Sequence, residues 1–171
     1  MPGTSSLQQV VCSAEDLSVL EARVVESSRK AVSALAQILA DSDPLNALAR
    51  VKFEQVGFHP IQDRSLNFIE QLNQTFTFIA SLRAAAWIFA HHAEVGPVRL
   101  NLGTASGSDL ESLDGTLAAE AFAATTPSSN DKLRKDIAKV ACTSARLKYV
   151  FYACPSVRPG PAAPAPNNAD V

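Results

Sequence analysis

Asp114-Gly115, flanked by residues 108–113 and 116–125, is the strongest short-range signal for a β-hairpin in this chain. If the turn places Leu113 opposite Thr116, Asp109 falls directly opposite Glu120. Opposed residues of an antiparallel pair share a face, with Cβ atoms about 4.5–5.5 Å apart. Glu111, Ala118, Phe122 and Ala124 lie on that face too. Two carboxylates so placed repel unless something offsets them. A divalent cation is the simplest offset, because Mg²⁺ prefers hard oxygen ligands and needs only one or two carboxylates. A shared proton or a solvated edge position is the alternative. Glu120 is embedded in Leu-Ala-Ala-Glu-Ala-Phe-Ala-Ala, where no other side chain is polar. A buried acid there needs a partner. The competing reading is a structural acid pair, or one separated by a bulge.

Other candidates for chemistry are weaker. The loop Gly103-Thr-Ala-Ser-Gly107 has no GxxxxGK[ST] pattern and opens no helix, so it reads as a bulge or turn rather than a phosphate cradle. His91 and His92 are adjacent at a helix end, where they diverge by about 100° and suit capping better than chelation. His59 stands alone before Pro60. Cys12, Cys142 and Cys154 are too scattered for a disulfide framework, and core packing is the expectation for the last two.

The hairpin carrying Asp109 and Glu120, the helix and hydrophobic strand after it, and the long helix with Glu70 before it together resemble the core of the PD-(D/E)xK nuclease superfamily. The resemblance covers roughly residues 65–154 and implies a restriction-endonuclease-like fold acting on phosphodiester bonds with Mg²⁺. It implies Asp109 and Glu120 as metal ligands and Glu70 as an auxiliary acid. The family's lysine, two residues after the second acid, is replaced by Phe122, and Ser108 precedes Asp109 in place of proline. Some members supply the lysine from the next helix. Lys132, in that helix's first turn, is then the candidate catalytic lysine, with Lys135 as the other and Asn130 as a polar contact. Gln74, on the polar flank of the long helix, is a further auxiliary residue.

The elements that must position these groups follow from periodicity. Residues 14–40 read as a helix with Ser13 as N-cap, Asp16 in the first turn, and Leu17, Leu20, Val24, Ala31, Leu35 and Ile38 at helical spacing. Asp41-Ser-Asp-Pro44 ends it, and a short helix to Arg50 is followed by an irregular edge strand over 51–58. Residues 65–92 form the second long helix, capped at Ser65. Its apolar stripe is Ile69, Leu72, Phe76, Ile79 and Leu82, and its polar flank is Asn67, Glu70, Gln71 and Gln74. Strands at 98–102 and in the hairpin precede a loop with an N-cap at 127–130, a helix over 131–145 and a buried strand over 148–153. The expected fold is α/β (α+β), with long helices packed on a mixed four-stranded sheet. Residues 1–50 form an N-terminal helical region, 51–154 the core domain, and 155–171 a disordered Pro/Ala-rich tail.

Composition bounds the partners. The 171 residues are 47% hydrophobic, with Lys+Arg 15 against Asp+Glu 17 and a formal charge of −2. That excludes a broad basic coat for nucleic acid. The charge is uneven: residues 1–126 hold 8 basic and 14 acidic side chains, whereas 127–152 hold 6 and 2. Nucleic acid is therefore expected only through a local basic helix. No stretch is long and apolar enough to span a bilayer and no signal peptide is evident, so a cytoplasmic location without membrane contact is expected. The alternative function is a non-catalytic interaction or homo-oligomerisation module on the same fold.

Overall fold

The apolar run around Glu120 forms an interior strand of the sheet, and its two faces divide the molecule into layers. The structure is a computed structural model describing residues 7–103, 107–126, 128–155 and 160. The chain runs β1 (Gln8–Val11), α1 (Ala14–Asp41), α2 (Pro44–Phe53), β2 (Gly57–Phe58), β3 (Ser65–Leu66), α3 (Phe68–His91), β4 (Val98–Asn101), β5 (Leu110–Ser112), β6 (Leu117–Ala123), α4 (Lys132–Ala141) and β7 (Leu147–Ala153). Among the described residues this is a mixed α+β fold with four α-helices, a five-stranded sheet ordered β1-β4-β5-β6-β7 and a small β2-β3 ribbon. The first four strands are antiparallel neighbours, and β7 runs parallel to β6 over its whole length.

Side chains alternate along a strand, so each strand serves two layers. Val98, Leu100, Leu110, Leu117, Ala119 and Ala121 join Leu17, Leu20 and Val24 of α1 and Phe78, Leu82 and Ile88 of α3 in one buried core. Residues 118, 120 and 122 point to the other face, where α4 packs on β6 and β7. Ser13 caps α1 by accepting from the Asp16 N–H. Asp43 caps α2, with Pro44 at its first helical position. Among the described residues no helix is long and apolar enough to cross a membrane.

The hairpin keeps the expected register: Leu110 faces Ala119 and Glu111 faces Ala118. Its connection spans four residues, 113–116, instead of a two-residue turn. Ser112 Oγ donates to Asp114 Oδ1 at 2.6 Å, and the Thr116 N–H reaches the same oxygen at 2.9 Å. These side-chain bonds close the loop together with the Gly115 N–H bond to Ser112 O at 3.1 Å, and Gly115 takes φ 75°, which a Cβ would strain.

Several expectations are corrected. The sheet has five strands, not four, because Gln8–Val11 pairs with β4; only Val11 of that strand is buried, so it carries no alternating signature. Residues 51–53 continue α2, and the expected edge strand shrinks to Gly57–Phe58. Ser65 lies in β3, and Asn67 caps α3, its Oδ1 accepting from the Glu70 N–H at 2.8 Å. Ile69, Leu72 and Phe76 are 45%, 43% and 56% exposed, whereas Gln71 of the supposed polar flank is buried. Gln71 turns inward because its amide is fully used. It accepts from the Phe58 N–H at 2.6 Å and donates to Ser27 O and Oγ at 3.0 and 2.9 Å, joining α3 to β2 and α1. Helix α4 ends at Ala141, and Asp131, not Asn130, occupies its N-cap position. Cys142 is exposed and Cys154 half-buried, so Cys142 does not pack in the core. Residues 104–106 of the small-residue loop, Pro127, and all of the tail after 155 except Gly160 lie outside the described residues.

His59 is buried and organises the loop between β2 and β3. Its Nδ1 accepts from the backbone N–H of Ile61 at 3.2 Å and of Gln62 at 3.0 Å, and its ring meets Phe78 edge-on. Burial, with the Arg64 charge adding to it, pushes the imidazole down to about 4. The unfolded chain takes up the proton first, so this contribution to stability is whole above about pH 6.5 and falls as the pH drops toward 4. At full slope the loss is about 1.4 kcal/mol per pH unit. His59→Asn retains an acceptor and removes the titration. Its stability, measured by denaturant melts between pH 7 and 4, is expected to fall less steeply than the wild type's by about one proton. Parallel curves would show that His59 does not carry the effect.

Candidate functional site

Asp109 reaches its position because the strand pairing of β5 gives way to its own side chain. The Asn101 N–H still donates to Asp109 O at 2.8 Å, continuing the β4–β5 ladder. One rung beyond Leu110–Ala119, the Ala121 N–H of β6 donates to Asp109 Oδ2 at 2.9 Å. The carboxylate is thereby pinned to the β6 backbone beside Glu120. Behind it, Asn101 Nδ2 donates to Ser108 O at 2.5 Å, and the Ser108 N–H donates to Glu111 Oε1 at 2.8 Å, fixing the approach to the strand. Gly107, at φ 106°, turns the chain where a Cβ would collide with the Glu111 carboxylate at 2.7 Å.

Glu120 is 1% exposed on a strand held from both sides. Lys139 of α4 meets it: Nζ lies 2.9 Å from Oε2 in a hydrogen bond and 2.8 Å from Oε1. The second approach is an ionic contact without hydrogen-bond alignment, so Glu120 Oε1 is buried without a hydrogen bond among the described residues. Asp136, 3% exposed on the sheet-facing side of α4, takes Lys132 Nζ on Oδ1 at 2.6 Å and leaves Oδ2 equally unbonded. Burial pushes the Glu120 carboxyl above its usual range, Lys139 opposes this, and the Asp109 and Asp136 charges add to it. Burial likewise raises Asp109, against the pull of the Ala121 N–H, Lys139 and Lys132. Three carboxylates and two ammoniums thus form one electrostatic unit between β5, β6 and α4.

The predicted residues divide accordingly. Asp109 and Glu120 are brought together, and Lys132 joins them through Asp136, with Nζ 5.9 Å from the Phe122 ring centroid. Gln74 lines a cavity of ≈ 160 Å³ with Asn73, Thr77, Asn101 and Asp109, its Oε1 buried and without a hydrogen bond among the described residues. Glu70, one turn earlier, is exposed in the first turn of α3 and does not line that cavity. Asn130, at φ 53°, and Lys135 meet each other, Lys135 Nζ donating to Asn130 O at 3.1 Å. Lys139 and Asp136 escaped the sequence reading. Their signal was the spacing of Lys132, Asp136 and Lys139 at i, i+4 and i+7, which sets all three on one helix face.

The expected basic helix is largely self-neutralised. Lys132, Arg134, Lys139 and Arg146 pair with Asp136, Asp131, Glu120 and Glu94, and Lys148 donates to Ala141 O. His91 does cap α3, its Nδ1 lying 2.8 Å from Trp87 O. Among the described residues no group of three or more His, Cys, Asp or Glu side chains converges to hold a metal ion. Asp109 and Glu120 offer hard carboxylate oxygens of the kind Mg²⁺ takes, and the Lys139 ammonium, 2.8 Å from Glu120 Oε1 and 2.9 Å from Oε2, occupies the Glu120 carboxylate. No family model, curated protein or solved structure matches this chain.

Replacing Lys139 by Met leaves Glu120 buried without its cation. The expected loss is about 2 kcal/mol at pH 7, between the values for exposed and fully buried pairs because Lys139 is half-exposed. A Glu120 whose folded pKa is raised is relieved by protonation, so the difference from wild type should shrink as the pH falls. Urea melts of both proteins at pH 7.5 and 5 measure it, and a penalty independent of pH would argue against a buried charge as its cause.

Proposed function

We propose that this chain carries a restriction-endonuclease-like core of PD-(D/E)xK type and acts, or descends from an enzyme that acted, on phosphodiester bonds with Mg²⁺. The observation that carries the reading is the juxtaposition of Asp109 and Glu120 on the α4 face of the β5–β6 hairpin, with lysines of α4 over them. Supporting it, the order α3, β4, β5, β6, α4, β7 follows the resemblance from long helix through hairpin and helix to final strand. A bound Mg²⁺ supplies Lewis acidity and lowers the pKa of a coordinated water. Asp109 and Glu120 would hold it. Lys132, whose ammonium lies by the ring of Phe122 where the family has its lysine, would contact the phosphate. Gln74, with a free carbonyl oxygen in the cavity beside Asp109, would orient the water.

The test is cleavage of DNA and RNA with and without Mg²⁺ or Mn²⁺. Asp109→Asn and Glu120→Gln are expected to lower cleavage at least about 100-fold, and Lys132→Met by about 10–100-fold, corresponding to roughly 1.4–2.7 kcal/mol of barrier. The absence of cation-dependent cleavage, together with unchanged behaviour of the variants, would leave the second reading. That reading is a non-catalytic interaction or dimerisation module, and one observation favours it: Val25, Val32 and Leu39 stand exposed at seven-residue spacing along α1. It requires a dimer in sedimentation equilibrium that Val32→Asp dissociates; a monomer throughout the concentration series removes it.

A further inference from the structure

Helix α2 lies with its apolar side outward. Of its residues only Ala47 is buried, with Arg50 and Val51 half-buried beside it, and these mark the side that packs on α1 and α3. The opposite side carries Leu45, Leu48, Ala49, Lys52 and Phe53 at i, i+3, i+4, i+7 and i+8, the spacing of a stripe that a helix normally turns toward a core. Here Leu45 is 80% exposed, Leu48 64% and Phe53 73%. Helix α3, against which α2 packs, also turns out Ile69, Leu72 and Phe76 at i, i+3 and i+7. Ordered apolar stripes on two touching helices differ from the scattered exposure of an ordinary surface and mark an interaction face. Charge at the ends of α2 says what covers it. Asp41 and Asp43 stand exposed at its N-terminal end, and Lys52 at its C-terminal end, with Nζ 5.2 Å from the Phe53 ring centroid. Among the described residues neither Asp41 nor Lys52 enters an ion pair, whereas Arg50 is taken up by Glu54. An apolar stripe with one acidic and one basic end is complementary to itself under a twofold axis.

We propose that α2 is the centre of a homodimer interface: its outward stripe packs antiparallel on the same stripe of a second copy, and Lys52 of each chain meets the acidic end, Asp41 and Asp43, of the other. The antiparallel arrangement matches opposite end charges and opposite helix dipoles, whereas a parallel one sets acid on acid. The register that centres the pair places Leu48 against Ala49 of the second copy, large on small, and lays the Lys52 stem over Leu45. A ten-residue helix is about 15 Å long and alone covers less than the roughly 800 Å² per partner that stable interfaces bury. Ile69, Leu72 and Phe76 of the adjoining α3 supply further apolar area. The acids at the rim disfavour a membrane surface as the occupant, because helices that lie on bilayers set basic residues beside their apolar side. The inference rests on neither reading of the Asp109–Glu120 cluster, and it uses a different helix from the Val25, Val32 and Leu39 stripe of α1.

Sedimentation equilibrium of the full chain over about 1–300 μM tests this, under reducing conditions because Cys12 and Cys142 are exposed. A dimer with Kd on the order of 10 μM is expected. Leu48→Asp should raise that Kd at least about 100-fold, while Val32→Asp should leave it within about threefold of the wild type. Lys52→Glu and Asp41→Lys should each weaken the dimer about tenfold, and the double variant, in which opposite signs face each other again, should recover to within about threefold. Circular dichroism melts establish that each variant folds, and Leu48→Gln takes the place of Leu48→Asp if the latter does not. A monomer throughout the series overturns the inference, as does a dimer that Leu48→Asp leaves intact. A dimer dissociated by Val32→Asp alone assigns association to α1 instead. Dissociation by Leu48→Asp with no recovery in the charge-swapped double variant overturns the antiparallel arrangement. A monomer that cosediments with phosphatidylcholine or phosphatidylserine vesicles, and loses this with Leu48→Asp, gives the stripe to a membrane and overturns the dimer.

Discussion

A carboxylate buried in the middle of an otherwise apolar strand dominates the layout of this molecule. Glu120 cannot reach water, because β6 is flanked by β5 and β7 and all but its last residue are buried. A charge in that position is tolerated only with a close counter-charge, and the nearest element able to supply one is the helix that crosses from β6 to β7. Parallel strands require such a crossover. The segment that makes this connection therefore also has to bring a cation to one particular rung of the sheet. Lys139 does so from the third turn of α4, and the seven paired rungs of β6 and β7 fix the helix at that height.

The same constraint explains why α4 is unusual for a sheet-covering helix. Its buried positions are Asp136 and Val140, with Lys132, Leu133 and Ile137 half-buried. An acid at the centre of the buried stripe weakens the apolar contact and would be replaced by a hydrophobic residue if packing were the only requirement. Instead Asp136 adds negative potential beside Asp109 and Glu120 and ties down Lys132. The cluster thus gathers charge at the expense of packing, and the local rules of burial give way there.

How much of this was legible in the sequence follows from which forces act locally. The caps at Ser13 and the stop at Asp41–Pro44 were readable because they depend on neighbours within four residues. The hairpin register was readable even though the connection proved longer, since lengthening a loop by one residue on each side leaves the pairing unchanged. The burial of Gln71 was not, because its partners Ser27 and Phe58 lie 44 and 13 residues away. The same long-range bonds rotate α3 and leave Ile69, Leu72 and Phe76 in solvent. Strand β1 was hidden for a related reason, as its only deeply buried residue is Val11. At the site, the opposition of Asp109 and Glu120 followed from the turn, but the choice of Lys139 as the partner of Glu120 depended on the height at which α4 docks, which no local pattern encodes.

Charge accounts for what remains. The uneven distribution, acidic before residue 127 and basic after it, suggested a basic face awaiting phosphates. In the fold, four of the six cations of 127–152 neutralise carboxylates of β6, of the α4 stretch itself and of the turn after α3, while Lys135 and Lys148 donate to backbone carbonyls. A phosphate approaching this face thus meets ammoniums already engaged, and long-range attraction contributes little to its capture. Recognition would have to arise at short range, after an ion pair opens. Lys139 and Lys132 are each over 40% exposed along the side chain while ending on a buried carboxylate. The small site and the weak global field are therefore two consequences of one arrangement, in which the buried acids of the sheet and the lysines of the crossover helix hold each other in check.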